Sequence, residues 1–164
     1  MSQFVSFTSK PVIYYDDEAS DLLGGDYYRV AESFRYYLGE KYAEQWVYVP
    51  AGMLTDLASI PRLVWNILPP TGKYGAAAIV HDRLCNTLQI TQSGKLISID
   101  RVKADAILGE AMEVLGVPWI KRVTISGAVT LHRWVTRVNK PVISELQLKL
   151  ERDWVKAIPP VYDN

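Results

Sequence analysis

The sequence has one cysteine, two histidines and no excess of charge of either sign. A lone Cys85 excludes an internal disulfide and suits a reducing compartment. Lys plus Arg and Asp plus Glu are equal at 18 each, so no overall field favours nucleic acid, and no nucleic-acid partner is expected. His and Cys never recur at ligand spacing, which argues against a zinc site. No stretch approaches the roughly eighteen uninterrupted apolar residues of a membrane span, so no transmembrane segment is expected. The opening MSQFVSFTSKPV sets no basic segment before a long apolar run, and no signal peptide is expected. Repeats and low-complexity tracts are also missing. What remains is enough apolar sequence for a real core, and 1–164 reads as a single domain.

The first third carries β signals. Val5 to Tyr15 is aromatic and β-branched, with Pro11 marking an edge or a break. Asp21-Leu22-Leu23-Gly24-Gly25-Asp26 reads as a turn. Tyr27 to Leu38 suits one strand or a short hairpin, and Trp46 to Val49 a further strand, joined through Gly39-Glu40-Lys41. The Tyr-rich runs read as cross-strand packing. After Gly52 the pattern turns helical. Ser59 can cap a helix with Pro61 in its first turn, ending at Leu68-Pro69-Pro70. A second helix runs from Gly72 to about Leu88. Gln89 to Ser98, centred on Ser93-Gly94-Lys95, is a polar loop or small hairpin. Asp100 can cap an amphipathic helix with Ala104, Ile107, Leu108, Ala111, Met112 and Leu115 on one face, ended by Gly116. Pro118 opens a fourth helix that closes near Asn139-Lys140-Pro141, and Val142 to Lys156 continues as a helix on Leu146, Leu150 and Trp154. The fold expected is α+β: an N-terminal antiparallel sheet and then a helical half. Residues 1–52 are mainly β, 53–156 mainly α, and 157–164 an extended tail that can lie on a partner.

Chemistry concentrates between Val49 and Asp82, where Thr55-Asp56, Ser59, Arg62 and His81-Asp82 sit in otherwise apolar sequence. Buried groups of this kind must be hydrogen-bonded, ligated or catalytic. On a helix, Asp82 points about 100° from His81, whereas Cys85 lies one turn on, on the same side. His81 can act as a general base while Asp82 holds a cation or a substrate group. Asp105, on the next helix, can accept from the imidazole and fix its tautomer, and Arg101 one turn earlier can neutralise Asp105 instead. Calcium or magnesium held by Asp56, Asp82 and carbonyls is the cation this set would take. The plainer reading is a satisfied core histidine, a surface acid and an Arg–Asp pair, with Asp56 stabilising a turn, Ser59 a cap and Arg62 the partner of Asp56. Cys85 reads as a small buried residue and His132 as structural.

Val49-Pro50-Ala51-Gly52, Thr55-Asp56-Leu57-Ala58-Ser59-Ile60-Pro61-Arg62, Trp65, Pro69-Pro70, Gly72, Ala77, His81-Asp82 and Ala104-Asp105 resemble domain-of-unknown-function family 1353. The resemblance covers roughly Val49 to Val117. Where that family has an aromatic four residues after the histidine, this chain has Cys85. The family consists of small proteins found mostly in bacteriophages and prophages, so the resemblance implies a phage origin. With neither signal peptide nor membrane span expected, synthesis in the host cytoplasm is expected, and a place in the virion or a phage or host protein as partner goes with the second function below. A weaker similarity is to the core of calcium-dependent phospholipases, where an Ala-rich helix ends in His-Asp. It implies His81 activating water, Asp82 holding calcium and Asp105 orienting His81, with Pro69-Pro70-Thr71-Gly72 in place of the calcium loop. Two functions follow as expectations. One is a hydrolase of a lipid ester or cell-envelope bond, using His81, Asp105 and Asp56, with Thr55, Ser59 and Arg62 on the substrate. The other is a non-catalytic tail or tail-tip component, or a host-binding factor.

Overall fold

The computed structural model describes residues 6–57 and 74–158. Within them the α+β expectation holds, but the strands form two antiparallel sheets rather than one. The smaller has the order β1 (Ile13–Tyr15), β2 (Tyr28–Val30), β5 (Leu54–Thr55). The larger has the order β3 (Phe34–Tyr37), β4 (Gln45–Val49), β6 (Gln89–Gln92), β7 (Lys95–Ser98). The expected 27–38 strand is thus split between sheets. Its first part pairs Tyr28 with Thr55, and its second pairs Phe34 with Val49.

The Ser93-Gly94 turn, both residues at positive φ, closes a two-residue hairpin of the type that matches strand twist. That hairpin adds to the N-terminal strands through Trp46 opposite Thr91. Two local readings are corrected. The expected turn at 21–26 is mostly the end of helix α1 (Asp17–Leu23), whose cap Asp16 accepts from Ala19 N at 2.9 Å and whose exit is Gly24 at φ 72°. The missed signal was that cap, followed by Asp17 and Glu18 in the first turn. The chain also does not turn helical directly after Gly52. Gly52 at φ 87° reverses it into β5. The expected helix capped by Ser59 lies outside the described residues.

Helix α2 (Gly75–Thr87) is the centre of the molecule. It is buried on nearly all sides, from Ala76 through Asp82 and again at Leu84, Cys85 and Asn86. One side packs on β4 and another on α3 (Arg101–Val114). Its alanines, with Ala104 and Ala111 of α3 fully buried, let the two helices approach closely. Asp100 caps α3 by accepting from Lys103 N at 2.7 Å, as its sequence predicts. Glu110 of α3 accepts from Tyr36 Oη at 2.7 Å and Gly39 N at 2.6 Å, tying the helix to the larger sheet.

Helix α4 (Trp119–Thr136) packs on α3 but buries only Ile125 and Val129. Trp119 (65% exposed), Ile120, Val123, Leu131 and Trp134 (76% exposed) form an uncovered apolar stripe along it. Helix α5 (Glu145–Ala157) serves the short strand β5. Gln147 Nε2 donates to Leu54 O at 3.1 Å, and Glu151 Oε1 accepts from Leu54 N at 3.0 Å. Those two side chains satisfy backbone groups that a further strand would otherwise pair, which lets a two-residue strand sit buried. None of the described helices is long and apolar enough to cross a membrane.

Candidate functional site

Strand β5 and the middle of α2 face each other, and the sequence fixes their junction. Thr55 Oγ1 donates to Asp82 Oδ2 in a very short contact, and it accepts from Leu57 N at 3.1 Å. Leu57 has φ 54° and is almost fully buried, so this second bond stabilises a backbone conformation that a leucine rarely adopts. The Thr55 hydroxyl therefore clamps a carboxylate on α2 and a turn beyond β5 at once.

One residue before Asp82, His81 is only 2% exposed. Its Nε2 lies 2.8 Å from Asp105 Oδ1, and the other oxygen of Asp105 lies 3.1 Å from Arg133 Nε of α4. The second approach is an ion pair in distance but not an aligned hydrogen bond. Asp105 thus sits between an imidazole and a guanidinium on two different helices. A carboxylate so placed accepts from Nε2–H, which leaves the basic lone pair of His81 on Nδ1. The expectation that Asp105 orients His81 matches this geometry. The expectation that Arg101 neutralises Asp105 does not, because Arg133 occupies that role. Nothing in local spacing links residue 133 to residue 105; the α3–α4 packing does.

A cavity of about 350 Å³ opens beside these groups, within the usual range for small-molecule pockets. Thr55, Asp56, His81 and Asp82 line it, and so do Tyr27, Cys85, Arg101, His132 and Gln147. Leu54, Val129 and Val142 give it an apolar wall. Asp56, His81 and Asp82 converge there, while Asp105 reaches the cavity through His81. Ser59 and Arg62 lie outside the described residues. His132, exposed on α4, stands at the cavity rim, a position its sequence setting between Leu131 and Arg133 did not suggest.

Burial sets the chemistry of two lining groups. It raises the Tyr27 phenol above its ordinary value, with Asp56 and Asp82 adding to the rise. Burial also pushes the Cys85 thiol up to about 12; Arg101 opposes this, and Asp82, Asp105 and Asp56 reinforce it. Cys85 Sγ lies 3.7 Å from both ring nitrogens of His81, over the ring rather than in line with either lone pair. A protonated, poorly aligned thiol is not an activated nucleophile.

Among the described residues, no three His, Cys, Asp or Glu side chains converge as ligands of one cation. Asp56 and Asp82 are two carboxylates, one of them engaged by Thr55. Two carboxylates without further donors among the described residues do not make up the roughly six to eight oxygens of a calcium site.

No curated protein and no solved structure matches the chain. The family described as protein of unknown function (DUF1353) matches residues 28–129, from β2 into α4, a span that carries His81, Asp82, Arg101 and Asp105. The chain belongs to that family.

Proposed function

We propose that the protein is a phage-encoded hydrolase of carboxylic esters, acting on lipid, with His81 as general base and Asp105 as its positioning residue. The observation that carries the reading is the 2.8 Å His81–Asp105 contact beside a cavity of ligand size. Asp105, itself fixed by Arg133, holds the imidazole so that Nδ1 can take a proton from water. The hydroxide so formed adds to the ester carbonyl, and the tetrahedral intermediate expels the alkoxide. The proton on Nδ1 passes to that alkoxide, so acid and alcohol leave and His81 is restored. Thr55-clamped Asp82 and the half-buried Asp56 offer acceptors for substrate hydroxyls, and the Leu54–Val129–Val142 wall suits an acyl chain.

The test is hydrolysis of 4-nitrophenyl butyrate and of a short-chain diacyl phospholipid. His81→Ala should lose about 10²–10⁴-fold in kcat, the usual contribution of a general base. Asp105→Asn should lose rate and also shift the pH profile, because the Asn side chain no longer fixes the tautomer. Absence of turnover by folded wild type, or full activity in His81→Ala, overturns the reading.

The uncovered apolar stripe on α4 supports a second reading, a non-catalytic virion or host-binding component that uses this helix as its contact. In that case His81→Ala lowers the melting temperature, and no ester is turned over by any variant.

A further inference from the structure

We infer that Arg101 makes the α3–α4 side of the cavity a subsite for a monoanionic oxyanion, a carboxylate or a phosphodiester, carried by the ligand. Arg101 is the first residue of α3, lines the cavity and is 8% exposed. Its Nε and Nη1 are buried with no acceptor among the described residues. The two carboxylates nearest to it along the chain are committed elsewhere. Asp100 accepts from Lys103 N at the exposed cap, and Asp105 is held by His81 and Arg133.

Arg29 shows what a buried arginine does in this protein when its role is purely structural. It is 4% exposed, and it reaches Asp16 Oδ2 at 2.5 Å and Gly52 O at 2.9 Å, with Trp154 stacked 5.7 Å away. Arg101 has burial of the same order and none of that support. A buried guanidinium without an acceptor is costly, and a planar oxyanion meets its fork with two parallel N–H···O bonds.

The other charged groups select the kind of anion. Asp56 and Asp82 line the same cavity from the β5–α2 side and repel a second negative charge. A monoanion therefore fits better than a phosphate dianion. The ligand's anionic group lies toward Arg101 and its hydroxyl-bearing part toward Asp82. As a statement of substrate class this rests on the hydrolase reading; as a binding site it does not.

The test uses no turnover, so its failure is separate from a failure of the ester assay. Wild type is titrated with sodium acetate and with dimethyl phosphate, against sodium chloride at equal ionic strength. The readouts are the Arg101 Nε–H resonance and the melting temperature. The expected result is a saturable resonance shift with both oxyanions and a melting rise of roughly 3–6 °C at ten times Kd. Inorganic phosphate should bind more weakly above pH 7. Arg101→Met should melt no lower than wild type in chloride and lose the oxyanion response, and Arg101→Lys should keep part of it. The inference is overturned if wild type shows no saturable effect beyond chloride, or if Arg101→Met retains the full response.

Discussion

Thr55→Val replaces one hydroxyl by a methyl of similar size, so its consequence can be worked from two contacts. The hydroxyl donates to the Asp82 carboxylate and accepts from the buried Leu57 N–H. A hydrogen bond to a charged group contributes about 1.5–3 kcal/mol, and an orphaned buried N–H costs about 1–3 kcal/mol, so the sum is about 2.5–6 kcal/mol. That is a large part of the roughly 5–15 kcal/mol by which domains are stable. For a chain of this size it corresponds to a fall in melting temperature of roughly 5–24 °C. Thr55→Ser keeps the hydroxyl and removes one buried methyl, so it should cost under about 1.5 kcal/mol. The assay is urea and thermal unfolding of the three proteins, with hydrogen exchange at Leu57 N–H as a local probe. Thr55→Val should unfold earlier with an unchanged urea slope, and Leu57 N–H should lose protection before the rest of the core. Equal stability of the Val and Ser variants would refute the reasoning, because the hydroxyl would then carry no weight.

Gly52→Ala places a Cβ 2.5 Å from the Trp154 ring at a residue with φ 87°, and both the clash and the backbone strain should together cost about 2–4 kcal/mol. Removing the ring as well, in Gly52→Ala/Trp154→Ala, should cost less than the two single changes added, as read from melting curves. Cys85, with its thiol raised to about 12, should react with iodoacetamide at pH 8 on the order of 10³-fold more slowly in the folded protein than in urea. Labelling at the rate of a free thiol would contradict the burial assigned to it.

The helices from α2 onward were legible because their signals are local, whereas α1 was read as a turn. Asp100 caps α3, Gly116 leaves the same helix at φ 69°, and Pro118 precedes α4, each read correctly from residue type and spacing. The apolar face named for α3 is the buried one, from Ala104 through Leu115. Strands were read less well because pairing is non-local. Nothing in Tyr27 to Leu38 says that its two ends join different sheets, and nothing in Gln89 to Ser98 says that it extends a sheet begun fifty residues earlier. The same division runs through the site. His81 and Asp105 could be paired from sequence because each lies on a readable helix face. Arg133 and Arg101 could not be told apart, because which guanidinium reaches Asp105 depends on how α4 crosses α3. Thr55 was expected on the substrate, and its bond to Asp82 appears only once β5 is known to face α2.

The distribution of these groups over the fold divides labour in a way that follows from burial. The proposed base and its positioning carboxylate stand on α2 and α3, which pack against each other and against the larger sheet. Groups built on such elements keep their geometry because neighbouring side chains lock their rotamers. The opposite wall, with Val129 and His132, belongs to α4, which buries two residues and is joined to the site by the Arg133–Asp105 ion pair. On the proposed reading, proton transfer falls to the most buried helix, while sparsely buried α4 lends Val129 and His132 to recognition beside Asp82 of α2 and Arg101 of α3. A change in α4, such as Val129→Ala, should alter which acyl chains or anions enter while leaving the His81–Asp105 distance intact. A change in the α2–α3 seam cannot be so contained, since His81, Asp82 and Cys85 share one turn of helix with core residues Val80 and Leu84 on either side.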